Sequence, residues 1–401
     1  PTAVFNFASG VIDRRFVESR STAGTRYNIF GNLETLAAGV AKPTYAPATN
    51  EAKGYLAEPA ATYLAMRSTE MDNASYWAPG NITPTPNAAI GIDGEMSMFK
   101  VEATATTTGT ILSRAHAATA AQQYYTIRAK KGTGATVGNR FGAYNATTAT
   151  LLSFFTIDYD TGVVTHSAGS GATATPVGHD GVWEIRVPVT SGVTALDSLS
   201  FYACFTGSAA TAGDHAYVGF LDVADKPNLT HIPTAGSNVT TVGGGLTLDL
   251  TAHDEIVNPA GFTLVCAFDG THPATSGADE ILFSVGSSAS NVIYLNLTAA
   301  GNFLLVCNVG GVGEIVSVIG PILAGRNRFA VSIQAGACIA VANGGAVVSM
   351  GTLSAIPSLT SLVVGTYPYV GAFQVSAPIE LLATFPRACT AGELRAFVNN
   401  F

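Results

Sequence analysis

The chain has 401 residues, enough for two or three domains, and its composition excludes several classes of protein. Only 11% of the residues are charged, against roughly 25% in ordinary soluble domains, while Gly, Ala, Val, Thr and Ser are abundant. This mixture favours short strands and tight turns over a helical enzyme, whose helix surfaces need Leu, Glu and Lys. A net charge of −8 without any Lys/Arg-rich run argues against nucleic acid as a partner.

The first 50 residues differ from the rest, because they hold four arginines and few periodic apolar positions. They close with Lys42-Pro43-Thr44-Tyr45-Ala46-Pro47, in which each proline fixes φ and removes a backbone donor. We therefore expect residues 1–50 to form an extended arm that orders by packing on something else. Its candidates for particle attachment or oligomerisation are Arg14, Arg15, Phe16 and Tyr27.

Residues 51–240 alternate apolar and polar side chains in short runs, which predicts strands with one face in a core. Turn signals such as Asp160-Thr161-Gly162 separate these runs, and this spacing favours a β-sandwich or jelly roll. Gly243-Gly244-Gly245, at the predicted junction with the next domain, is typical of a flexible linker. The predicted strands are residues 96–103, 124–129, 151–157, 183–187 and 200–205.

Residues 241–401 repeat this pattern. Asn343-Gly344-Gly345 predicts a hairpin turn, since its first two residues tolerate positive φ. Thr390 and Glu393 form a capping box that predicts one short C-terminal helix. The predicted strands are residues 261–268, 291–297, 302–306, 328–333, 338–341 and 379–385.

Five cysteines lie in apolar runs without CxxC spacing, and their odd number leaves at least one thiol without an intrachain partner. We expect small buried side chains in a protein that folds in a reducing cytoplasm. No secretion signal and no stretch of about 18 apolar residues is visible, so we expect neither export by a signal nor membrane insertion. Pro1 is what removal of an initiator Met would leave.

Three stretches resemble the carbohydrate-binding-module-like jelly rolls of phage and prophage virion proteins. The first runs from Gly54 to Leu64 and continues over residues 70–77, with Tyr63 where the family usually has Asn. The second is Gly181-Val182-Trp183-Glu184-Ile185-Arg186-Val187, similar to a Gly-Trp-x-Arg strand. The third, residues 228–240, looks like a closing strand, after which Thr241 replaces the family's arginine.

The C-terminal region resembles concanavalin A-like, laminin-G-type sandwiches. The strand that begins at Phe262, the Asn343-Gly344-Gly345 hairpin and the ending over residues 385–394 carry this resemblance. Together the resemblances imply an all-β protein: an arm over residues 1–50, a jelly roll over 51–240 and a sandwich over 241–401. They imply a fibre, spike or appendage on the virion surface, made in the host bacterial cytoplasm. The arm would contact other virion proteins, and the chain would be a homo-oligomer, with a trimer favoured.

Aromatic rings are the predicted sugar contacts, because pyranose faces stack on them. We assign Trp183 to the core, since it alternates with Ile185 and Val187 in a predicted strand. The candidate carbohydrate-binding residues are Tyr76, Trp77, Tyr124, Tyr367 and Tyr369.

Calcium is the one metal that the pattern suggests, with Asp269 and Asp279 as candidate ligands in the loop after the strand that begins at Phe262. The histidines show neither HxH nor HExxH spacing, so no zinc site is predicted. Ordinary polar turns are the alternative for the two aspartates, and no other cofactor is expected.

Catalysis would need two carboxylates about 5–10 Å apart. The segment Asp158-Tyr159-Asp160-Thr161-Gly162 is more typical of a β-turn with Asx caps. We therefore predict a non-enzymatic virion protein that binds host-surface polysaccharide during adsorption. The alternatives are a purely structural decoration or fibre-shaft protein and a polysaccharide depolymerase.

Overall fold

The computed structural model describes residues 3–107, 111–118, 122–133, 139–178, 180–205, 210–226, 229–253, 255–270, 279–369 and 377–400. The strands of the first 56 residues are β1 (Ala3–Asn6), β2 (Phe16–Glu18), β3 (Gly24–Tyr27), β4 (Leu33–Leu36), β5 (Pro43–Tyr45) and β6 (Ala52–Leu56).

The described residues of the next part of the chain form fourteen strands. They are β7 (Ala61–Tyr63), β8 (Trp77–Gly80), β9 (Ile82–Ile90), β10 (Met96–Ala103), β11 (Ile111–Ala117), β12 (Gln123–Lys130), β13 (Arg140–Asn145), β14 (Thr150–Ile157), β15 (Val164–Ala168), β16 (Thr173–Pro176), β17 (Val182–Val189), β18 (Ser198–Phe205), β19 (His215–Ala224) and β20 (Val239–Thr241).

In the last part, the residues that the structure describes form eleven strands and helix α1 (Ala391–Asn400). The strands are β21 (Leu246–Asp249), β22 (Phe262–Asp269), β23 (Glu280–Ser288), β24 (Asn291–Leu297), β25 (Asn302–Val309), β26 (Val312–Pro321), β27 (Arg326–Gln334), β28 (Ala337–Ala342), β29 (Val348–Gly351), β30 (Ser361–Val364) and β31 (Pro378–Phe385).

Two pairs of antiparallel sheets enclose two large hydrophobic cores. In the middle sandwich, the sheet β16-β17-β12-β19-β10-β9, with β7 and β20, faces the sheet β15-β14-β13-β18-β11-β8. In the C-terminal sandwich, the sheet β29-β28-β27-β22-β31-β6-β5, with β1, faces the sheet β2-β21-β30-β23-β24-β25-β26. The predicted fold class, all-β with two sandwiches and one short C-terminal helix, is confirmed.

The N-terminal 50 residues correct the prediction of an extended arm. Strand β1 pairs with β31 (Ala3 opposite Thr384), and β2 pairs with β21 (Phe16 opposite Leu248). Phe5, Phe7 and Phe16 are buried in the core of the C-terminal sandwich. These strands have only three or four residues, too few for a periodic pattern, and their partners lie at the other end of the chain. The first 56 residues therefore complete the C-terminal sandwich, and the middle sandwich is an insertion into it.

Two of the four attachment candidates are buried. Phe16 is buried in the C-terminal core, and Tyr27 is buried with Met98 and Phe220 where the β3–β4 hairpin covers the middle sandwich. Arg15 donates two hydrogen bonds to Asp13, at 3.0 and 2.8 Å. Of the four candidates, Arg14 is exposed. Phe16 and Tyr27 are therefore packed inside the chain and present no surface to a partner protein, whereas Arg14 and Arg15 remain predictions.

The junction between the sandwiches is tightly hydrogen-bonded. The backbone N–H of Ser19 donates to the carbonyl of Gly245 (3.0 Å), and the N–H of Gly245 donates to the Ser19 hydroxyl (3.0 Å). The ammonium of Lys42 and the carboxylate of Glu58 form a buried ion pair beside this junction. Gly245, one of the glycines predicted as a flexible linker, is thus hydrogen-bonded to the segment that follows β2.

A buried charge cluster lies under the β3–β4 hairpin, on the outer face of the middle sandwich. The guanidinium of Arg128 contacts the carboxylates of Glu184 (2.7 Å) and Asp222 (2.6 Å), and His231 contacts Asp222 (2.8 Å). Burial alone would raise the pKa of Glu184, but the charges of Arg186 and Arg128 outweigh it and lower this pKa to about 2. The cluster therefore links β12, β17 and β19 to the segment that contains His231 through compensated buried charges.

The predicted hairpin turn, the capping box and the burial of cysteines also hold within the described residues. Asn343 and Gly344 have φ of 49° and 72° in the turn between β28 and β29. The Thr390 N–H donates to the Glu393 carboxylate (2.7 Å), which completes the capping box of α1. The cysteines that the structure describes with their side chains are buried free thiols: Cys266, Cys307, Cys338 and Cys389. No helix among the described residues is long and apolar enough to cross a membrane.

Candidate ligand-binding cleft

A cleft of about 360 Å³, lined by polar groups together with Ile157 and Val163, lies at one end of the middle sandwich. The turn after β14 forms one wall with Asp158, Tyr159 and Asp160, and Lys131 after β12 and Asn139 before β13 line the cleft as well. Thr156 on β14 and Thr165 on β15 stand opposite each other in the antiparallel register and add two hydroxyl groups. Three neighbouring strand ends therefore bring hydroxyl, amide, carboxylate and ammonium groups around one tyrosine.

The turn that carries Tyr159 is rigidly built. The Asp158 carboxylate accepts hydrogen bonds from the backbone N–H groups of Asp160 (2.8 Å) and Thr161 (3.3 Å), and the Gly162 N–H donates to the Asp158 carbonyl (2.7 Å). These are the Asx caps that the sequence predicts. The backbone donor of Asp160, followed by the Thr161 hydroxyl, lowers the pKa of Asp158, so its side chain remains a carboxylate at neutral pH.

Trp183 supports the turn from below. Its indole N–H donates to the Tyr159 carbonyl (3.1 Å), and its ring occupies the space that a Cβ on Gly162 would need. Gly162 has φ of +73°, a left-handed conformation that side chains rarely adopt. The prediction placed Trp183 in the core; the structure places it half-buried at the core's edge, where it positions the turn.

The charges of the cleft are arranged around Asp160. The ammonium of Lys131 contacts both carboxylate oxygens of Asp160, at 2.8 and 2.7 Å, and both side chains are exposed. The nearby guanidinium of Arg140 lies over the Phe154 ring (5.7 Å) and donates to the Ser167 hydroxyl (3.3 Å). Lys131 is thus the one cation in the described lining, and Asp160 engages it on both oxygens.

The predicted sugar-binding aromatics are not gathered in this cleft. Trp77 is 1% exposed, and its indole N–H donates to the Arg67 carbonyl (3.3 Å), which corrects its choice as a stacking platform. Tyr76 is half-buried, with the guanidinium groups of Arg67 and Arg114 at 5.9 and 5.1 Å from its ring centroid. Tyr124 is half-buried on the other sheet and donates to Gln122 (2.9 Å).

Two predicted aromatics do meet, in the C-terminal sandwich. Tyr367 and Tyr369 pack edge to face at 5.4 Å, and Tyr367 also contacts Tyr294 at 5.1 Å. Tyr367 is buried, so its ring serves this cluster and not the surface, which corrects its choice as a sugar contact. Tyr369 is half-buried and remains a prediction.

The predicted calcium ligands have protein partners. The two carboxylate oxygens of Asp279 accept from the Ala299 N–H and from the Asn296 amide, both at 3.0 Å. Asp269 ends β22, opposite Arg326 in the register. The described residues contain no group of three or more His, Cys, Asp or Glu side chains suited to a metal. The intervening loop, residues 271–278, lies outside the described residues, so calcium remains a prediction.

Sequence reasoning missed Tyr159, Asn139, Thr156 and Thr165 as site residues. The sequence signal at Tyr159 was an aromatic residue inside a capped turn between two strands, which indicates an exposed ring. Nothing in the sequence indicates that Asn139 and Lys131 lie beside this turn, because their positions next to it depend on the order of strands in the two sheets.

The architecture defined here is an all-β protein of two sandwiches, one inserted into the other. No family model matches the chain, and no curated protein matches it. A solved structure of the Ruminococcus gnavus IT-sialidase CBM40 bound to alpha2,6 sialyllactose is similar, with 19% identity and a TM-score of 0.31 over 37% of this chain and 90% of that one.

Two further structures are similar at the same level. The NanB sialidase from Streptococcus pneumoniae has 14% identity and a TM-score of 0.32, over 37% of this chain and 26% of that one. The SAP-like pentraxin from Limulus polyphemus has 16% identity and a TM-score of 0.25, over 34% and 68% of the two chains.

Proposed function

We propose that the chain is a non-enzymatic glycan-binding protein that holds a sugar in the cleft beside Tyr159. The observation that carries this proposal is the partly buried Tyr159 on a hydrogen-bonded turn, which lines one cleft together with Asn139, Thr156 and Thr165. A pyranose has an apolar face, which packs on a ring, and a rim of hydroxyls, which exchange hydrogen bonds with amides and hydroxyls. The cleft volume lies within the roughly 300–1,000 Å³ typical of small-ligand sites.

A binding role fits the cleft's carboxylates better than hydrolysis. A glycosidase needs a general acid with a raised pKa, whereas hydrogen bonds lower the pKa of Asp158. The Asp160 carboxylate is paired with Lys131 in solvent. Incubation with bacterial capsule followed by a reducing-end assay tests this part of the proposal, and release of new reducing ends would contradict it.

Binding is tested on a glycan array with the full chain, followed by calorimetry on the best ligand. We expect Tyr159→Ala to weaken binding about fivefold, because a lost stacking face removes on the order of 1 kcal/mol. Tyr124→Ala is the matched control, since Tyr124 is also half-buried but lies on the other sheet. Failure of the array, or equal affinity for both variants, would overturn the cleft as the site.

The finer proposal is that this binding serves adsorption of a phage-type particle to its host. Its support is the resemblance of residues 54–77, 181–187 and 228–240 to virion jelly rolls. Fluorescently labelled chain should then decorate cells of a susceptible bacterium, and purified surface polysaccharide should compete. Decoration that persists in cells stripped of surface polysaccharide would contradict the glycan as receptor.

A second candidate function, assembly with further copies of the chain, is favoured by the outer face of the C-terminal sandwich. Residues 281–325 contain a single charged residue, Glu314, and Val312, Val316 and Val318 on the edge strand β26 are each more than half exposed. Uncharged apolar faces of this kind mark protein interfaces. Copies of the chain, which all carry the same net charge, can meet at this uncharged face without local charge repulsion.

The mass measured in solution tests this assembly and should exceed that of one chain. Val316→Lys should lower the measured mass, while the control Val163→Lys should leave it unchanged. A parent protein with the mass of one chain would contradict assembly.

A further inference from the structure

We infer that the cleft beside Tyr159 selects uncharged glycans and rejects glycans that end in sialic or uronic acids. This inference rests on the proposed function and adds the class of sugar. It starts from the charges of the described lining, which holds two carboxylates, Asp158 and Asp160, and one ammonium group, Lys131. An acidic sugar entering the cleft therefore meets a net negative charge.

The turn holds the Asp158 side chain as a carboxylate. Asp158 accepts two backbone N–H groups of its own turn, which stabilise its ionised form and lower its pKa. The Asp160 carboxylate lies beside it and contacts the ammonium of Lys131 at 2.7 Å. The two carboxylates and the single ammonium group therefore share one small cleft.

The cation that could bind an acidic sugar, Lys131, is already paired with Asp160. Lys131 contacts both oxygens of Asp160, so a sugar carboxylate has to displace Asp160 and then lie next to it. Arg140, the next cation along the sheet, points its guanidinium at Phe154 and Ser167. In the described lining no arginine offers the two parallel N–H donors that carboxylate recognition uses.

The uncharged groups of the cleft match neutral sugars instead. The hydroxyls of Thr156 and Thr165 lie on paired strands, and the amide of Asn139 is next to them. Hydroxyls and amides both donate and accept, as do sugar hydroxyls and N-acetyl groups. A hexose or N-acetylhexosamine can therefore form hydrogen bonds here without bringing a charge into the cleft.

The test compares glycan pairs that differ by one acidic group: lactose with sialyllactose, and a glucose oligomer with its uronate counterpart. We expect the neutral member of each pair to bind the full chain at least tenfold more tightly at low salt. The preference should shrink at high salt, since screening weakens charge repulsion. Equal or tighter binding of the acidic member overturns the inference while the proposed function stands; no binding of either member overturns both.

A charge swap without loss of the turn sharpens the test. Asn keeps the side-chain oxygen that caps the turn, so Asp158→Asn combined with Asp160→Asn removes both charges and leaves Lys131 unpaired. We expect this double variant to lose the neutral preference and to bind the acidic sugar more tightly than the parent does. Asp180→Asn, which neutralises a carboxylate outside the lining, is the control and should keep the parent preference. An unchanged preference in the double variant would contradict the role of the two aspartates.

Discussion

The two sandwiches use the chain in different ways. The middle sandwich consists of one continuous stretch whose end strands, β7 and β20, pair side by side, with Thr62 opposite Thr240. The C-terminal sandwich is complete only when β1, β2, β5 and β6 return from the other end of the chain. A contact between chain ends has a large loop-closure entropy, so the C-terminal sandwich depends on contacts that the middle one does not need.

The sandwiches also bury charge differently. The middle one buries the guanidinium of Arg128 between two carboxylates, so that opposite charges compensate each other. The C-terminal one buries Glu18, whose carboxylate accepts from the Tyr55 hydroxyl (2.9 Å), and burial raises the pKa of Glu18. We therefore expect truncation of the N-terminus to destabilise the C-terminal sandwich and not the middle one. We expect acid to change the stability of the two sandwiches in opposite directions.

Truncation should have the largest effect. Removal of residues 1–19 takes away the buried Phe5, Phe7 and Phe16, each worth roughly 3–5 kcal/mol, against a typical domain stability of about 5–15 kcal/mol. We expect the C-terminal sandwich to lose its cooperative unfolding while the middle one keeps it, as measured by hydrogen exchange with mass spectrometry. Phe16→Ala should act in the same direction, whereas its exposed neighbour Val17→Ala should not. If both sandwiches still unfold cooperatively after truncation, the N-terminal residues are a dispensable arm and this prediction is wrong.

The Arg128 cluster gives the next largest effect, confined to the middle sandwich. Arg128→Met leaves Glu184 and Asp222 buried without their cation, which costs about 3–5 kcal/mol. Lys100→Met, which breaks the exposed pair with Glu102 on the same sheet, should cost less than about 1 kcal/mol. Urea denaturation resolved by hydrogen exchange measures both, and similar costs for the two variants would contradict the importance of burial.

Acid should separate the sandwiches with opposite signs. The pKa of Glu184 falls from 4.5 to about 2 on folding, so its contribution of about 3 kcal/mol is present above pH 4.5 and is lost as the pH falls towards 2. The pKa of Glu18 rises on folding, so its contribution is complete below pH 4.5 and is lost as the pH rises through the folded pKa.

Two amide variants separate these contributions. Glu184→Gln should flatten the acid-induced loss in the middle sandwich, and Glu18→Gln should stabilise the C-terminal sandwich at neutral pH. Unfolding followed from neutral pH to about pH 2 measures both effects. Parallel pH profiles for the two sandwiches would contradict this contrast.

The smallest expected effect concerns the turn under the cleft. Gly162→Ala adds a Cβ at positive φ where the Trp183 ring lies, so it should cost roughly 1–2 kcal/mol and weaken glycan binding by displacing Tyr159. Gly178→Ala is the control, because Gly178 also has positive φ (+68°) but no atom lies within 4 Å of its added Cβ. Equal glycan affinity for the two variants would show that the Trp183 contact does not position the turn.

The prediction from sequence was accurate where the strands are long and alternate. Strand β10 has the predicted bounds of residues 96–103, β24 those of 291–297, and α1 begins after the predicted capping box. It failed for β1 and β2, whose three or four residues carry too little periodicity. For the site, it identified the capped turn at Asp158 but chose Trp77 and Tyr367 by ring type, and both rings are buried.

The sequence by itself determined the all-β class, the positions of the long alternating strands, the turns and the single helix, because these depend on neighbours a few residues apart. Only the tertiary structure decided that the N-terminal strands belong to the C-terminal sandwich and that Lys131, Asn139 and Tyr159 line one cleft. Such contacts depend on how hydrophobic faces from distant segments fit together, and local periodicity carries no information about which distant face is the partner.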